Sequence, residues 1–284
     1  MSWMASRPTS PSQIDLHIHA GQERESSLEE LIHWLVANRV TFLGLLDHSE
    51  LYQLGDVGLR AKLGRLVYRS SREGLESFFS SIEEARRLHS QEAFIFKGLE
   101  LPEWDLPYIQ PTFVASADFL GAHLNTSCTD PHFRHYTSLS WGEHVAERAA
   151  QLAQLAAGRP AVLFHPFHRR LREIQALLGG LESEQPEDDS LLILDDGDLR
   201  VLEERVDKEL VFFELNFSDI FLAASHDLLF EALRSAVALL RDAGFAFSLG
   251  SDLHSIPEKR VDPTGVLTSL GIGIRHLRIV EALL

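Results

Sequence analysis

Histidines and carboxylates recur along this chain, each directly after a short apolar segment. His17 and His19 come first and Asp252 and His254 come last. A two-residue spacing in a β-strand puts both side chains of such a pair on one face of the sheet. Imidazole and carboxylate ligands together favour Zn²⁺, Mn²⁺ or Fe²⁺ over Ca²⁺. The pattern therefore predicts a site for several metal ions, built from His17, His19, His48, Glu100, His123, His165, Asp252 and His254.

Each of these residues has a simpler explanation when it is taken alone. A single histidine after an apolar run is more often a core residue bonded to a backbone carbonyl, and Glu100 could pair with a basic side chain. Unpaired burial of that carboxylate would cost several kcal/mol, and bridging two cations would remove this cost. Their shared position at strand ends favours metal binding. We expect Asp47 and Asp15 to support ligands from behind rather than to bind a metal.

Seven apolar segments alternate with amphipathic ones, which is the βαβ pattern of a parallel sheet. Continuous apolar runs are typical of strands buried on both faces. The predicted strands cover residues 13–18, 41–46, 93–99, 118–122, 161–164, 210–215 and 245–249. The predicted helices cover residues 27–38, 73–89, 140–157, 169–178, 226–243 and 276–284. Every predicted ligand falls at the carboxyl end of a strand, where parallel barrels carry their catalytic residues.

Length and composition agree with one α/β barrel, for which about 250 residues is typical. The chain has 284 residues, of which 45% are hydrophobic and 24% charged, so a sizeable core can be buried. The net charge of −16 disfavours non-specific binding to nucleic acids. The single Cys128 excludes an intramolecular disulfide and a cysteine zinc site, and it fits a reducing cytoplasm. No apolar run is long enough to span a membrane.

Three segments depart from the βα pattern. Residues 1–12 are rich in Ser and Pro, and we predict a flexible tail before a single domain over 13–284. Residues 51–72 are basic and are interpreted either as a lid over the barrel mouth or as a solvated helix face. Residues 179–197 are acidic and predict an exposed insertion without chemistry.

The motifs DLHIH, LLDHSE, GLE, GAH, FHP and GSDLH, in this order, resemble the polymerase-and-histidinol-phosphatase (PHP) superfamily. The resemblance extends from Gln13 to about Pro257, which is nearly the whole chain. It implies a distorted (β/α)7 TIM-like barrel with two to three Mn²⁺, Zn²⁺ or Fe²⁺ ions at its mouth.

The same resemblance implies a ligand set for each ion. The first ion would be held by His17, His19, Glu100 and Asp252, and Glu100 would bridge to a second ion held by His123 and His165. His48 and His254 would hold a third ion, with Glu25 as its remaining ligand.

These ligands predict a metal-dependent phosphoesterase that acts on a small phosphorylated metabolite or nucleotide. Metal ions acidify water and neutralise the charge that builds on phosphoryl oxygens. We predict that Glu100, Asp252 and His254 take part in catalysis, and that the substrate phosphate is gripped by Arg60, Arg169, Lys259 or Arg260. A nuclease or cyclic-nucleotide phosphodiesterase is the alternative enzyme. A binding module that keeps its metals for stability is the alternative without catalysis.

Overall fold

The structure is a computed structural model of the chain and describes residues 7–21, 26–49, 72–103, 105–124, 139–180 and 191–284. Two predicted site residues, Glu25 and Arg60, lie outside the described residues. The same holds for nearly all of the basic segment 51–72 and for residues 181–190 of the acidic segment.

Seven parallel strands form one sheet in the order of the sequence. They are β1 (Ile14–His19), β2 (Phe42–Leu46), β3 (Phe94–Pro102), β4 (Phe119–His123), β5 (Ala161–Phe164), β6 (Val211–Asn216) and β7 (Ala246–Gly250). Nearly all of their residues are buried, because helices cover the outer face and side chains fill the interior. All seven predicted strands are confirmed within a few residues at their ends.

The residues that follow β7 return to β1 and nearly close the sheet. The amide of Asp252 donates to the carbonyl of His17 over 2.9 Å, and the amide of His19 donates to the carbonyl of Leu253 over 2.9 Å. Deeper in the barrel, Asp15 Oδ1 accepts a hydrogen bond of 3.0 Å from the Ser251 amide. The predicted (β/α)7 TIM-like barrel is therefore confirmed.

Nine α-helices accompany the strands within the described residues. They are α1 (Leu28–Ala37), α2 (Arg72–Leu88), α3 (Trp141–Ala156), α4 (His168–Gly180), α5 (Asp196–Arg205), α6 (Phe217–Ala224), α7 (Asp227–Asp242), α8 (Thr264–Ser269) and α9 (Ile279–Leu283). Helix α1 starts with a capping box, in which Ser27 and Glu30 bond each other's backbone amides. None of the helices in the described residues is both long and apolar enough to cross a bilayer.

Three predicted boundaries need correction. The acidic insertion ends early, because Asp195 Oδ1 accepts a 2.8 Å bond from the Asp198 amide and so caps the start of α5. The tail also ends early, because Pro11–Gln13 form a 3-10 helix in which Pro11 is buried. Helix α9 is shorter than the predicted helix over 276–284, since a separate 3-10 turn occupies Ile274–His276.

Candidate metal centre

All predicted ligands that lie in the described residues meet at the carboxyl ends of the strands. Strands β1, β3 and β4 carry four of them, and the residues directly after β2, β5 and β7 carry the other four. Five groups of three His, Asp or Glu side chains have ligand atoms within 4.8 Å of one another. The predicted ligands therefore form one cluster rather than scattered core residues.

The first predicted ligand set has the dimensions of a tetrahedral metal site. His17 Nε2 and His19 Nε2 are 3.2 Å apart, and each lies 3.3 Å from Glu100 Oε2. Asp252 Oδ1 lies 3.4 Å from His17 Nε2 and 3.0 Å from His19 Nε2. A regular tetrahedron with metal–ligand bonds of about 2.0 Å has edges of about 3.3 Å. Five of the six edges are thus close to those that Zn²⁺ requires.

The two oxygens of Glu100 face two different sets of ligands. Oε2 contacts the pair of imidazoles on β1, whereas Oε1 lies 2.6 Å from His123 Nδ1. Glu100, His123 and His165 form a second group with the spacing of metal ligands. Glu100 is only 1% exposed, so its charge is compensated inside the protein. A carboxylate in this position can bridge two cations, as the ligand set predicts.

The third group consists of His19, His48 and His254. The ring of His19 contacts both of the others, with its centroid 4.6 Å from that of His48 and 3.9 Å from that of His254, and the latter two centroids are 6.2 Å apart. His19 was expected to serve only the first ion, whereas the geometry also places it beside the third set. The predicted partner Glu25 lies outside the described residues.

Glu214 on β6 is a site residue that the ligand motifs did not reveal. Its side chain is fully buried, Oε1 lies 2.7 Å from His17 Nδ1, and Oε2 accepts a 3.0 Å bond from the His165 amide. Both oxygens are therefore engaged, which makes Glu214 a support for two imidazoles rather than a metal ligand. The signal in the sequence was a carboxylate inside an otherwise apolar strand.

Asp47 also supports the cluster through contacts with His48 and His19. Asp47 Oδ1 accepts a 3.0 Å bond from the His48 amide and lies 3.9 Å from His19 Nδ1. Asp15 takes part in barrel closure through Ser251, in agreement with its expected supporting role.

Charges in the cluster are strongly coupled in the absence of metal. Burial lowers the pKa of His17, but the carboxylates of Glu214 and Glu100 outweigh it and raise that pKa well above its usual value. Burial acts on His19 in the same way, and hydrogen bonds to Asp252, Asp47 and Glu100 raise its pKa to about 10. Burial raises the pKa of Glu100, but the surrounding imidazoles prevail and hold it well below its usual range.

His165 differs from the other imidazoles. Burial is the largest influence on it and lowers its pKa, so the ring is neutral. Neither ring nitrogen has a hydrogen-bond partner in the described part of the chain, although the residue is only 4% exposed. A neutral buried imidazole with free nitrogens is what a metal ion requires. Together with the tetrahedral spacing, this orphaned ring shows that the residues present fit divalent transition-metal ions.

The backbone at two ligands adopts a left-handed conformation. The φ angles of His165 and Asp252 are 52° and 56°. Residues other than glycine rarely adopt such angles, and strain of this kind concentrates at functional sites. Both residues follow the last residue of a strand by one or two positions, so the strained backbone lies in the turns that carry two of the clustered side chains.

Within the described part of the chain, the basic residues expected to grip a phosphate have other partners or are exposed. Arg260 Nη1 donates a 2.6 Å bond to the Ser12 carbonyl, which precedes β1 and lies at the opposite end of the strands. Its expected role in phosphate binding is therefore wrong, because the guanidinium anchors the start of the barrel. Arg169 Nε is paired with Glu173 Oε1 within α4 at 2.9 Å, and Lys259 is exposed.

Comparison with known proteins identifies structural neighbours only. No protein-family model matches the chain, and no curated protein matches it by sequence. A crystal structure of a Listeria monocytogenes protein named a "putative histidinol phosphatase" superposes with a TM-score of 0.54 at 14% identity, covering 85% of this chain and 95% of that one. A chain of an archaeal ribonuclease P with mature tRNA gives a TM-score of 0.48 at 12% identity, covering 94% and 87%. The chain therefore has the barrel fold of the Listeria protein, as the resemblance to the PHP superfamily implied.

Proposed function

We propose that this protein is a metal-dependent phosphoesterase that acts on a small phosphorylated metabolite or nucleotide. One observation carries the proposal: Glu100 presents one oxygen to His17 and His19 and the other to His123, so two ligand sets share one carboxylate. Two adjacent ions held in this way are suited to phosphoester hydrolysis. The shared fold with a protein named as a histidinol phosphatase supports the same reaction class.

The ions would supply an acidified water molecule and would neutralise charge on the phosphoryl oxygens when bound. The residues of the chain would hold these ions in place. His17, His19, Glu100 and Asp252 would hold one ion, and Glu100, His123 and His165 would hold another. The partial exposure of His48, His123 and His254 leaves the cluster open on one side, where a substrate can approach. Mn²⁺, Zn²⁺ and Fe²⁺ all accept these ligands.

Hydrolysis of p-nitrophenyl phosphate and bis-(p-nitrophenyl) phosphate tests the proposal. We expect turnover that a chelator removes and that Mn²⁺ or Zn²⁺ restores, with the monoester preferred. A preference for the diester would favour the nuclease or phosphodiesterase alternative. Bound metal without turnover of either ester or of a panel of phosphorylated metabolites would favour the binding module and would contradict the proposal.

Substitution of the bridging residue connects the activity to the cluster. Glu100→Gln keeps the shape of the side chain but removes the charge that two ions would share, so we expect loss of metal and of most activity. Glu231→Gln is the matched control, because Glu231 is exposed on α7 and pairs only with Arg234 along the same helix. Full activity in Glu100→Gln would place the chemistry elsewhere.

A further inference from the structure

An imidazole–carboxylate pair lies beside the cluster but outside every predicted ligand set. His168 is the first residue of α4, and Asp219 lies in the first turn of α6. Their Nδ1 and Oδ1 atoms are 2.6 Å apart. Because α4 and α6 begin after the carboxyl ends of β5 and β6, the pair lies at the same end of the barrel as the metal ligands.

The carboxylate of Asp219 is buried with little compensation. It is 1% exposed, and Oδ2 has no hydrogen-bond partner among the described residues. Burial of an anion is costly without partners, although the amino end of α6 offsets part of this cost through its dipole. If this position served packing alone, an apolar side chain would avoid the free-energy cost of burying a carboxylate. The burial of Asp219 therefore points to a role through its one bonded partner, His168.

The bond to Asp219 leaves the other ring nitrogen of His168 available. A carboxylate on Nδ1 fixes the orientation of an imidazole, with Nε2 at the opposite edge of the ring. The His168 side chain is 19% exposed, so solvent and substrate can reach it. Its ring centroid lies 6.1 Å from that of His165, nearly perpendicular to it. His165, His168 and Asp219 have possible ligand atoms within 4.8 Å of one another, so the pair lies directly beside the metal-ligand cluster.

We propose that His168 is a catalytic residue that donates a proton to the leaving-group oxygen, and that Asp219 is its positioning residue. This inference rests on the proposed phosphoesterase function. As the oxygen of water bonds to phosphorus, the ester P–O bond breaks and its electron pair passes to the leaving oxygen. That oxygen takes the proton from His168 Nε2, the attacking water gives up a proton to solvent, and the neutral imidazole then regains a proton from solvent. The substrate class is thus a phosphate ester of an alkyl alcohol, whose oxygen leaves poorly without a proton.

Leaving-group dependence tests this role. Without a proton donor, an alkyl phosphate should react far more slowly, whereas p-nitrophenolate leaves readily as an anion. We expect His168→Gln to lower turnover of an alkyl phosphate such as glycerol phosphate by about 100-fold or more. Turnover of p-nitrophenyl phosphate should fall less than about tenfold. Asp219→Asn should show the same selectivity with a smaller loss, and both variants should retain the metal content of the wild type.

A histidine elsewhere at a helix start provides the control. His226 caps α7 by accepting a 3.2 Å bond from the Leu228 amide, and Asn can replace it in this role. His226→Asn should leave both activities unchanged. Equal losses on both esters in His168→Gln would overturn the inference, as would a loss of metal, which would make His168 a ligand. Wild-type protein that binds metal but hydrolyses neither ester would contradict the proposed function and the role of His168 together.

Discussion

At the scale of single residues, carboxylates that accept hydrogen bonds from the candidate ligands determine which ring nitrogen of an imidazole carries the proton. Glu214 accepts from His17 Nδ1, which directs Nε2 of the same ring toward His19, Glu100 and Asp252. The second oxygen of Glu214 holds the backbone of His165 in its left-handed conformation. One buried side chain therefore aligns a ligand from each of two sets.

Glu214→Gln should weaken metal binding while the barrel stays folded. The amide oxygen can still accept from His17, but the amide nitrogen cannot accept from the backbone of His165, and the negative charge is lost. We expect metal affinity to fall about 10- to 100-fold, as is typical when a group supporting a ligand is changed. Competition with a chromophoric chelator measures this affinity. An affinity equal to that of Glu231→Gln would show that Glu214 has no part in metal binding.

His165→Asn should remove the second ion selectively. Asparagine tolerates the left-handed backbone at this position better than most residues, so the fold should be retained. The orphaned imidazole disappears, and we expect roughly one metal equivalent fewer per chain by elemental analysis. A melting temperature close to that of the metal-free wild type would confirm folding. Undiminished metal content would rule out His165 as a ligand.

At the scale of elements, the contact between β1, β6 and β7 sets the position of the first ligand. A Cβ atom at Gly250 would lie 2.3 Å from Glu214 Oε1 and 2.4 Å from the Cβ of His17. Only glycine permits this approach of the end of β7 to the cluster. The backbone of β7 therefore takes part in the shape of the site without contributing a side chain there.

Gly250→Ala should displace Glu214 or His17 and so reduce both stability and metal content. Contacts this short cannot be absorbed without movement, and we expect a loss of about 1–3 kcal/mol in the free energy of unfolding. Gly265→Ala is the matched control, because nothing lies within 4 Å of a Cβ atom there. In helix α8, alanine should stabilise slightly. Urea denaturation of both variants, with elemental analysis, separates the two outcomes.

The sequence predicted a strand or helix well where its residues followed one clear pattern of apolar side chains. All seven strands followed from continuous apolar runs, and the meeting of eight candidate ligands in one cluster followed from their place at strand ends. Helix α6 was missed because its apolar residues continue directly from β6, with only Asn216 as a cap between them. Glu214 was missed because a single carboxylate in a strand does not show which imidazole it faces. Spacing along the chain likewise could not show that the ring of His19 contacts those of His48 and His254.

At the scale of the whole molecule, metal and protons compete for the same cluster. Raised pKa values at His17 and His19, and lowered ones at Glu100 and Asp252, mean that imidazolium–carboxylate pairs occupy the metal-free protein at neutral pH. The pKa of His19 is about 10 in the folded state, against 6.5 normally. Protonated His19 therefore stabilises the metal-free fold fully below about pH 6.5, and this stabilisation is lost as the pH rises through about 10.

Metal binding should release protons at pH 7. Metal ions bind neutral imidazole, so the protons on His17 and His19 must leave. We expect metal affinity to increase with pH from 6 to 8. Calorimetric titration in two buffers that differ in ionisation enthalpy gives the number of protons released. Identical heats in both buffers would show that the imidazoles are already neutral.

The candidate ligands come from the first and the last strand of the barrel, and the barrel closes only when the residues after β7 bond to β1. During synthesis on a ribosome, His17 and His19 emerge long before Asp252 and His254. A nascent chain that has not yet passed β7 can therefore offer a metal ion only part of the proposed ligand set. On this ligand set, loading of the first ion requires the last strand, so a growing chain should not trap metal in an unfinished fold.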